Sequence, residues 1–369
     1  KGIYPPENLS DCDDTQVMIK ALTEGKETID IMAAGTAMRF LTAYLSATSG
    51  ERIITGTARM QQRPIQILVN ALRELGAEIE YTHNEGYPPL RIKGAELKGN
   101  EITLKGNVSS QYISALLMIG PVLKDGLTLH LTGEIISRPY INLTLQLMQD
   151  FGAKAAWTSP SSISVAPQPY QSVPFTVESD WYQIAALSPE AKIELLGLFR
   201  NSYQGDSRGA EVFSRLGITT EFTPQGVKIK KTGKAPERLE EDFVDIPDLA
   251  QTFVVTCALL NIPFRFTGLQ SLKIKETDRI AALRTELKKL GYLIEEENDS
   301  VLMWNGERCE PEAVPVIATY EDHRMAMAFA PAVITFPKLL IADPQVVSKS
   351  YPGYWEDLKL AGFQVINEG

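Results

Sequence analysis

One repeated pattern constrains the fold of this 369-residue chain most strongly. In each copy an amphipathic helical segment ends at a glycine and is followed by a short run of residues typical of a strand. A glycine there predicts a left-handed helix cap, and Ile280, Leu283 and Leu287 recur at the spacing of a buried helical stripe. The helical segments are residues 65–76, 141–152, 210–217, 280–291 and 354–362; the strand-like runs are 77–81, 153–157, 218–222, 292–295 and 363–366.

The terminal glycines are 76, 65, 74 and 71 residues apart along the chain. This period exceeds the ~20–50 residues of a solenoid repeat and suits a repeated βαβαββ unit. The alternative is that helices of any α/β protein end in glycine, but the regular spacing favours a true repeat. Four further segments are rich in Ala, Leu and Met, which predicts buried helices at 36–45, 110–118, 249–259 and 324–334.

Length and composition predict an ordinary globular protein of two domains. A chain of 369 residues is too long for one core of common size, and 44% hydrophobic with 22% charged residues is typical of folded proteins. A boundary near residues 176–180 would give an N-terminal domain of residues 1–177 and a C-terminal domain of residues 178–369. The longest apolar runs, such as residues 252–260, are too short to span a membrane.

Charge and cysteine content exclude several classes of site. A net charge of −10 argues against a general nucleic-acid binder, although a local cluster of cations could still bind small anions. Cys12, Cys257 and Cys309 have no metal-type spacing. We therefore expect no metal site and no disulfide framework, and a reducing cytoplasm.

Polar side chains concentrate at the starts of the predicted helices, where unpaired N–H groups favour phosphate or carboxylate. Cationic side chains in these segments would add full positive charges, and arginine can bind a carboxylate with two parallel bonds. Met325 and Met327 are predicted to belong to the core instead. The segments are 34–39 (Ala-Gly-Thr-Ala-Met-Arg), 63–65, 109–111 (Ser-Ser-Gln), 137–140, 245–248, 275–279 (Lys-Glu-Thr-Asp-Arg), 322–325 (Asp-His-Arg-Met) and 349–352 (Lys-Ser-Tyr-Pro), and their cations include Arg63, Arg279, Arg324 and Lys349.

Each polar segment also has a purely structural interpretation. Thr277 or Ser137 could be an N-cap, and Asp245 and Asp248 could be capping residues. Glu276 and Asp278 could merely complement a helix dipole on a solvated face. The joint occurrence of eight such segments favours a binding site.

Five of these motifs resemble motifs of the 5-enolpyruvylshikimate-3-phosphate synthase family and occur in the family's order. They are the segments at 34–39, 109–111, 275–279, 322–325 and 349–352, and the resemblance runs from about Asp11 to Leu358. The resemblance implies an α/β fold of two domains, each built from three βαβαββ units with buried helices, and substrates bound in the interdomain cleft. The related UDP-N-acetylglucosamine enolpyruvyl transferase shares this architecture but uses a loop cysteine. None of the three cysteines here lies in a comparable loop.

The resemblance implies transfer of the enolpyruvyl group of phosphoenolpyruvate to the 5-hydroxyl of shikimate 3-phosphate. Phosphate leaves through a tetrahedral intermediate, and neither a metal nor an organic cofactor is required. The resemblance also implies a cytoplasmic monomer of aromatic amino-acid biosynthesis that glyphosate inhibits. It implies small-molecule substrates and neither nucleic-acid nor membrane partners.

Site roles carry over residue by residue. Glu276 is similar to the proton donor to the methylene carbon, Asp248 to the carboxylate that takes the hydroxyl proton, and Lys349 to a third catalytic residue. The implied phosphoenolpyruvate contacts are Gly35, Arg63, Gln111, Arg279, Arg324 and Lys349. The implied shikimate 3-phosphate contacts are Ser109, Ser110, Gln111, Ser137, Tyr140, Asp248, Ser271 and Lys275.

The chain departs from the family pattern in three places. Nothing before Asp11 supplies the family's Lys-Ser…Arg segment, so the first unit is incomplete. The chain as given is expected to be inactive or nearly so, unless the native protein contains that segment. A non-catalytic anion-binding relative is therefore a rival interpretation. Ser271 and Ala33 stand where asparagine is common. Asp180 is followed directly by Trp181 where relatives have a Ser/Ala-rich stretch, which predicts that disordered residues are absent from this sequence.

Overall fold

The chain divides into two compact units, Lys1–Val177 and Glu178–Gly369. The computed structural model describes residues 6–175 and 192–367. The predicted irregularity at Asp180 and Trp181 lies outside these described residues.

The first unit begins with a helix and then repeats one arrangement of strands and helices twice. The initial helix is α1 (Asp13–Thr23). The first copy comprises β1 (Thr28–Asp30), α2 (Gly35–Ser46), β2 (Gly50–Thr55), α3 (Gln66–Glu74), β3 (Glu78–Tyr81) and β4 (Leu90–Gly94). The second comprises β5 (Asn100–Lys105), α4 (Ser110–Ile119), β6 (Leu127–Thr132), α5 (Arg138–Asp150), β7 (Ala155–Ser159) and β8 (Ser162–Val165).

The second unit contains a third complete copy between two partial ones. The first partial copy comprises β9 (Lys192–Leu196), α6 (Gly209–Arg215), β10 (Ile218–Phe222) and β11 (Gly226–Lys231). The complete copy comprises β12 (Leu239–Asp242), α7 (Ala250–Leu259), β13 (Phe264–Thr267), α8 (Arg279–Lys289), β14 (Glu295–Glu297) and β15 (Val301–Trp304). The last elements are β16 (Val316–Ile317), α9 (His323–Phe329), β17 (Leu340–Ile341) and α10 (Tyr354–Leu360).

All three complete copies have the same sheet topology. The sheet orders are β1-β2-β4-β3, β5-β6-β8-β7 and β12-β13-β15-β14. In each sheet the first two strands are parallel, and the last two form an antiparallel pair that joins the second strand. The predicted βαβαββ repeat and mixed α/β class are therefore present in the fold.

The helix that follows the first strand of each copy is the buried one, as its composition predicts. Nine of the twelve residues of α2, seven of the ten of α4 and nine of the ten of α7 are buried. These helices lie in two main apolar cores, one within each unit. The predicted helix at 324–334 is shorter, because α9 ends at Phe329 and a 3₁₀ helix containing Pro331 follows.

The second helix of each copy is amphipathic. Ile280, Leu283, Leu287 and Leu290 of the α8 segment are all fully buried, which confirms the predicted stripe. All five glycines that terminate the predicted helices have positive φ, between 81° and 98°, as a left-handed cap requires.

Two predicted strands differ from the structure. Residues 363–366 form no strand: Phe363 N–H donates to Leu358 O to close α10, and the side chains of Phe363 and Val365 pack against a small apolar cluster instead. The strand predicted at 292–295 begins only at Glu295, since Tyr292 forms an isolated bridge with Arg308 and packs on Trp304. Among the residues that the structure describes, no helix has the length and apolarity to cross a membrane.

Candidate active site

The eight polar segments share one position in the fold: each follows a strand that belongs to a parallel pair. In the three complete copies one segment follows the first strand and another follows the second. The segments at Asp322 and Lys349 follow β16 and β17, which are also parallel. Because the carboxyl ends of paired parallel strands lie at one sheet edge, each copy presents its two polar segments together, where α/β folds bind ligands.

In the first copy, Arg63 lies directly against Gly35 at the start of α2. A Cβ atom at Gly35 would lie 2.6 Å from Arg63 Nη1, so only glycine permits this approach without displacing the guanidinium. Arg63 is 8% exposed. The arrangement brings a buried cation to a helix start, which suits a small anion.

Two buried side chains hold this segment in place. Arg39 Nη1 donates to Gly35 O at 3.1 Å and Arg39 Nη2 to Pro64 O at 3.4 Å. Tyr112, on α4, donates its hydroxyl to the same Pro64 carbonyl at 2.6 Å. Sequence reasoning gave neither side chain a role, because their partners are 25 and 48 residues away.

The start of α4 carries Ser109, Ser110 and Gln111. Ser109 is the N-cap, and its hydroxyl accepts from Gln111 N–H at 3.3 Å. The Gln111 side chain donates from Nε2 to Thr36 Oγ1 at 3.0 Å, which joins α4 to the start of α2. The predicted side chain of Gln111 thus reaches the helix start that carries Gly35.

Ser137 precedes α5 in a left-handed conformation, with φ of 55°. Ser137 occupies the N-cap position of α5, as the structural interpretation expects, but its side chain makes no capping hydrogen bond. Ser137 O accepts from Tyr140 N–H at 3.1 Å in the first turn. A non-glycine residue held in this conformation is uncommon and occurs often at functional sites.

In the second unit, Arg279 is the centre of an ionic cluster. Its side chain is 2% exposed and contacts three carboxylates. Arg279 Nε and Nη2 donate to both oxygens of Asp322 at 2.7 and 3.3 Å, Nη1 donates to Asp248 Oδ1 at 2.7 Å, and Nη2 donates to Glu276 Oε2 at 2.9 Å. These contacts fix the guanidinium plane relative to both predicted proton-transfer residues.

Asp248 lies in the 3₁₀ turn that leads into α7, and its side chain faces cations rather than capping the helix. Lys275 Nζ lies 3.1 Å from Asp248 Oδ1, and Arg324 Nη1 donates to Asp248 O at 3.3 Å. Burial by itself would raise the pKa of Asp248, but Lys275, Arg324 and Arg279 together lower this pKa below its ordinary value. Asp248 is therefore ionised at neutral pH.

Glu276 is 15% exposed and joins Arg279 to Lys349, whose Nζ donates to Glu276 Oε1 at 2.5 Å. Lys349 itself is the last residue of a 3₁₀ helix (Pro344–Lys349), and α10 begins five residues later. The segment 349–352 thus lies just before the helix predicted at 354–362, which begins at Tyr354 as α10, and the Lys349 ammonium reaches the predicted carboxylate.

Three further side chains of the second unit lie in or next to the polar segments and differ in their contacts. The N-cap of α8 is Asp278, which accepts from Ala281 N–H at 3.1 Å, so Thr277 is not the cap. Ser271 Oγ is buried without a hydrogen-bond partner. Burial lowers the pKa of His323 to about 3, so this side chain is neutral. No group of three or more potential metal-ligating side chains occurs in the described part of the chain.

Asp322 is the one residue of the second-unit cluster to which the sequence interpretation gave no role. It is fully buried, caps α9 by accepting from Arg324 N–H at 2.9 Å, and binds Arg279 from 43 residues away. The motif at 322–325 contains it, but nothing local in the sequence shows that it faces Arg279.

Comparison with known proteins shows the family to which the chain belongs. The model of the EPSP synthase (3-phosphoshikimate 1-carboxyvinyltransferase) family matches residues 8–358. A 3-phosphoshikimate 1-carboxyvinyltransferase of Bacteroides fragilis is 76% identical over 371 residues, which covers 99% of this chain and 90% of the relative.

Solved structures support the same fold. An EPSP synthase of Acinetobacter baumannii superposes with a TM-score of 0.70 at 23% identity, over 91% of this chain and 79% of that one. The enolpyruvyl transferase NikO of Streptomyces tendae gives a TM-score of 0.65 at 15% identity, over 88% and 76%. The family match, the close relative and the fold lead to one conclusion: the chain belongs to the EPSP synthase (3-phosphoshikimate 1-carboxyvinyltransferase) family.

Proposed function

We propose that the chain transfers the enolpyruvyl group of phosphoenolpyruvate to the 5-hydroxyl of shikimate 3-phosphate and releases phosphate, as a step of aromatic amino-acid biosynthesis. Family membership supports this reaction over transfer to a UDP-sugar. The structural observation that carries the proposal is the cluster in which Arg279 joins Asp248 and Glu276, with Lys275 and Lys349 as their further cationic partners.

This cluster has the groups that addition and elimination require. A proton must be removed from the acceptor hydroxyl and another delivered to the methylene carbon of phosphoenolpyruvate. Ionised Asp248 takes the hydroxyl proton. Glu276 delivers a proton to the methylene carbon, and Lys349, 2.5 Å from Glu276, is placed to exchange protons with it.

The cations have the second task of binding anionic substrates. Arg279, Arg324 and Lys349 bind phosphoenolpyruvate, while Lys275 and the buried hydroxyl of Ser271 bind shikimate 3-phosphate. Bidentate arginine contacts match both carboxylate and phosphate geometry. The reaction itself needs no metal or organic cofactor.

The first unit supplies complementary contacts. Gly35 and Arg63 bind phosphoenolpyruvate, and the close approach of their atoms defines that position. Hydroxyl and amide groups at two helix starts suit a phosphorylated polyol. These shikimate 3-phosphate contacts are Ser109, Ser110, Gln111, Ser137 and Tyr140, of which Gln111 contacts both substrates.

A phosphate-release assay tests the proposal. The full-length native protein is incubated with phosphoenolpyruvate and either shikimate 3-phosphate or UDP-N-acetylglucosamine, and phosphate is followed by a coupled reaction. Release with shikimate 3-phosphate alone is expected. Release with the UDP-sugar alone would assign the other enolpyruvyl transfer, and binding of shikimate 3-phosphate without any release would assign a non-catalytic anion-binding role.

Three further properties belong to the same proposal. Glyphosate competes with phosphoenolpyruvate, which inhibition kinetics would check. The protein acts as a cytoplasmic monomer that binds neither nucleic acid nor membranes; light scattering after gel filtration and cell fractionation test this. Its three free cysteines, Cys12, Cys257 and Cys309, agree with a reducing compartment.

A further inference from the structure

A buried carboxylate outside the proposed contacts stands beside the site. Glu286 is fully buried on α8, seven residues and thus two helical turns after Arg279. It accepts hydrogen bonds from Tyr320 Oη at 2.6 Å, Ala318 N–H at 3.0 Å and Lys289 Nζ at 2.7 Å. Burial of a carboxylate costs several kcal/mol of desolvation free energy before its partners offset that cost. A contribution to stability alone therefore does not explain why Glu286 is buried here.

Two of these donors, Ala318 and Tyr320, make Glu286 an attachment point for residues 318–322, which connect β16 to α9. Tyr320 and Glu321 within this segment have φ of 55° and 56°, a left-handed conformation that costs ~1–2 kcal/mol for each non-glycine residue. Two such residues in succession persist only where surrounding contacts determine the backbone.

Those contacts come from the two ends of α8. Glu286 holds Ala318 and Tyr320, while Arg279 holds Asp322 through two hydrogen bonds at 2.7 and 3.3 Å. Residues seven apart lie on one face of a helix. The single helix α8 therefore binds residues 318–322 on both sides of their left-handed turn.

The held segment determines where the next helix begins. Asp322 caps α9 through Arg324 N–H at 2.9 Å, and Arg324 Nη1 reaches the Asp248 carbonyl at 3.3 Å. A shift of the turn would move the cap of α9 and the backbone that carries Arg324.

We propose that Glu286 is a positioning residue: by fixing Ala318 and Tyr320 it places Asp322 and the start of α9 against Arg279. Through this placement Glu286 controls phosphoenolpyruvate binding by Arg324 and Arg279, a consequence that rests on the proposed function. Glu286 itself touches no reacting atom.

The test compares Glu286→Gln with a matched control, Glu241→Gln. Glutamine keeps the shape of Glu286 but turns an NH₂ group toward one of its three donors, which disturbs the turn. Glu241 is a second carboxylate of this unit whose side chain is only 7% exposed; it binds Arg208 and Arg215 and contacts none of residues 318–322 in its ion pairs. Both variants are expected to lose stability.

Of these two variants, only Glu286→Gln is expected to change substrate kinetics. We expect the KM for phosphoenolpyruvate to rise about tenfold, as small misplacements of binding groups do, while the KM for shikimate 3-phosphate changes less than about twofold. Tyr320→Phe removes one donor and should shift the same parameter less; it carries the test if Glu286→Gln does not fold. Equal KM values for phosphoenolpyruvate in wild type, Tyr320→Phe and Glu286→Gln would overturn the proposal.

Hydrogen exchange separates this proposal from the proposed function. The backbone amides of Asp322 and Arg324 should exchange faster in Glu286→Gln than in Glu241→Gln. This expectation does not depend on which substrate the protein uses. Unchanged exchange at these amides would show that Glu286 does not position them. Lack of phosphate release by wild-type protein, with faster exchange in the variant, would refute the function and keep the positioning role.

Discussion

Replacing Arg279 with lysine tests whether the ionic cluster of the second unit depends on the several nitrogen donors of the guanidinium group. The arginine makes four hydrogen bonds to three carboxylates at 2.7 to 3.3 Å, on a side chain that is 2% exposed. A lysine keeps the charge, but its single ammonium group cannot span three acceptors that arginine reaches through separate nitrogens.

The expected loss falls mainly on Asp322. Asp248 retains Lys275 and Glu276 retains Lys349, whereas the fully buried Asp322 loses its bidentate partner. Removing one partner of a buried ion pair costs about 3–5 kcal/mol; because lysine keeps a positive charge nearby, we expect the lower end, about 3 kcal/mol. For a unit of this size that corresponds to a decrease of about 6–12 °C in Tm.

Thermal unfolding followed by circular dichroism measures this change, and Arg284→Lys is the matched control. Arg284 lies on the same helix, but its side chain is 45% exposed and its pair with Glu296 is on the surface, so about 1 kcal/mol or less is expected. Equal Tm changes in the two variants, or a phosphoenolpyruvate KM unaffected by Arg279→Lys, would refute the reasoning.

Glu276→Gln keeps an oxygen that can accept from Lys349 but cannot transfer a proton, so turnover should fall about 10²–10⁴-fold while calorimetry shows unchanged affinity for shikimate 3-phosphate; turnover near the wild-type value would remove Glu276 from its role. Gly35→Ala would place Cβ 2.6 Å from Arg63 Nη1 and displace the flexible guanidinium, so steady-state kinetics should show the KM for phosphoenolpyruvate raised about tenfold; an unchanged KM would contradict the contact. Burial lowers the pKa of His323 to about 3 from the ordinary 6.5. Between these values the unfolded chain therefore binds a proton that the folded chain does not, and stability falls as pH decreases, by up to ~1.4 kcal/mol per pH unit. His323→Asn should flatten this slope in urea unfolding at pH 4–6.5, a window taken from that pKa shift; identical slopes would show that His323 is not the titrating group.

Features set by neighbouring residues could be predicted from the sequence. The spacing of Ile280, Leu283 and Leu287 identifies the buried face of α8, since helical periodicity is a local property. The glycines that end the helices identify the repeat for the same reason. The strand predicted at 363–366 shows the limit: strand formation needs a partner, and the side chains of Phe363 and Val365 are instead partly buried by packing against a small apolar cluster.

The candidate site could be predicted only in part. Polar helix starts identify the candidate side chains, and the structure brings Asp248, Glu276 and Arg279 together. Their partners could not be predicted, because Asp322 lies 43 residues from Arg279 and Tyr112 lies 48 residues from Pro64. Such pairs depend on how strands and helices pack, which no local pattern encodes.

Because the three complete copies share one topology, their comparison shows which positions differ in residue type and which keep the same structural role. The segment after the first strand carries Gly35 in one copy, Ser109 to Gln111 in the next and Asp248 in the third, on the same arrangement of strands around a buried helix. Three different chemistries thus occupy equivalent positions without any change in the architecture beneath them. New acceptor specificity should therefore be attainable by substitutions confined to these short segments, while the interiors of α2, α4 and α7 are kept unchanged.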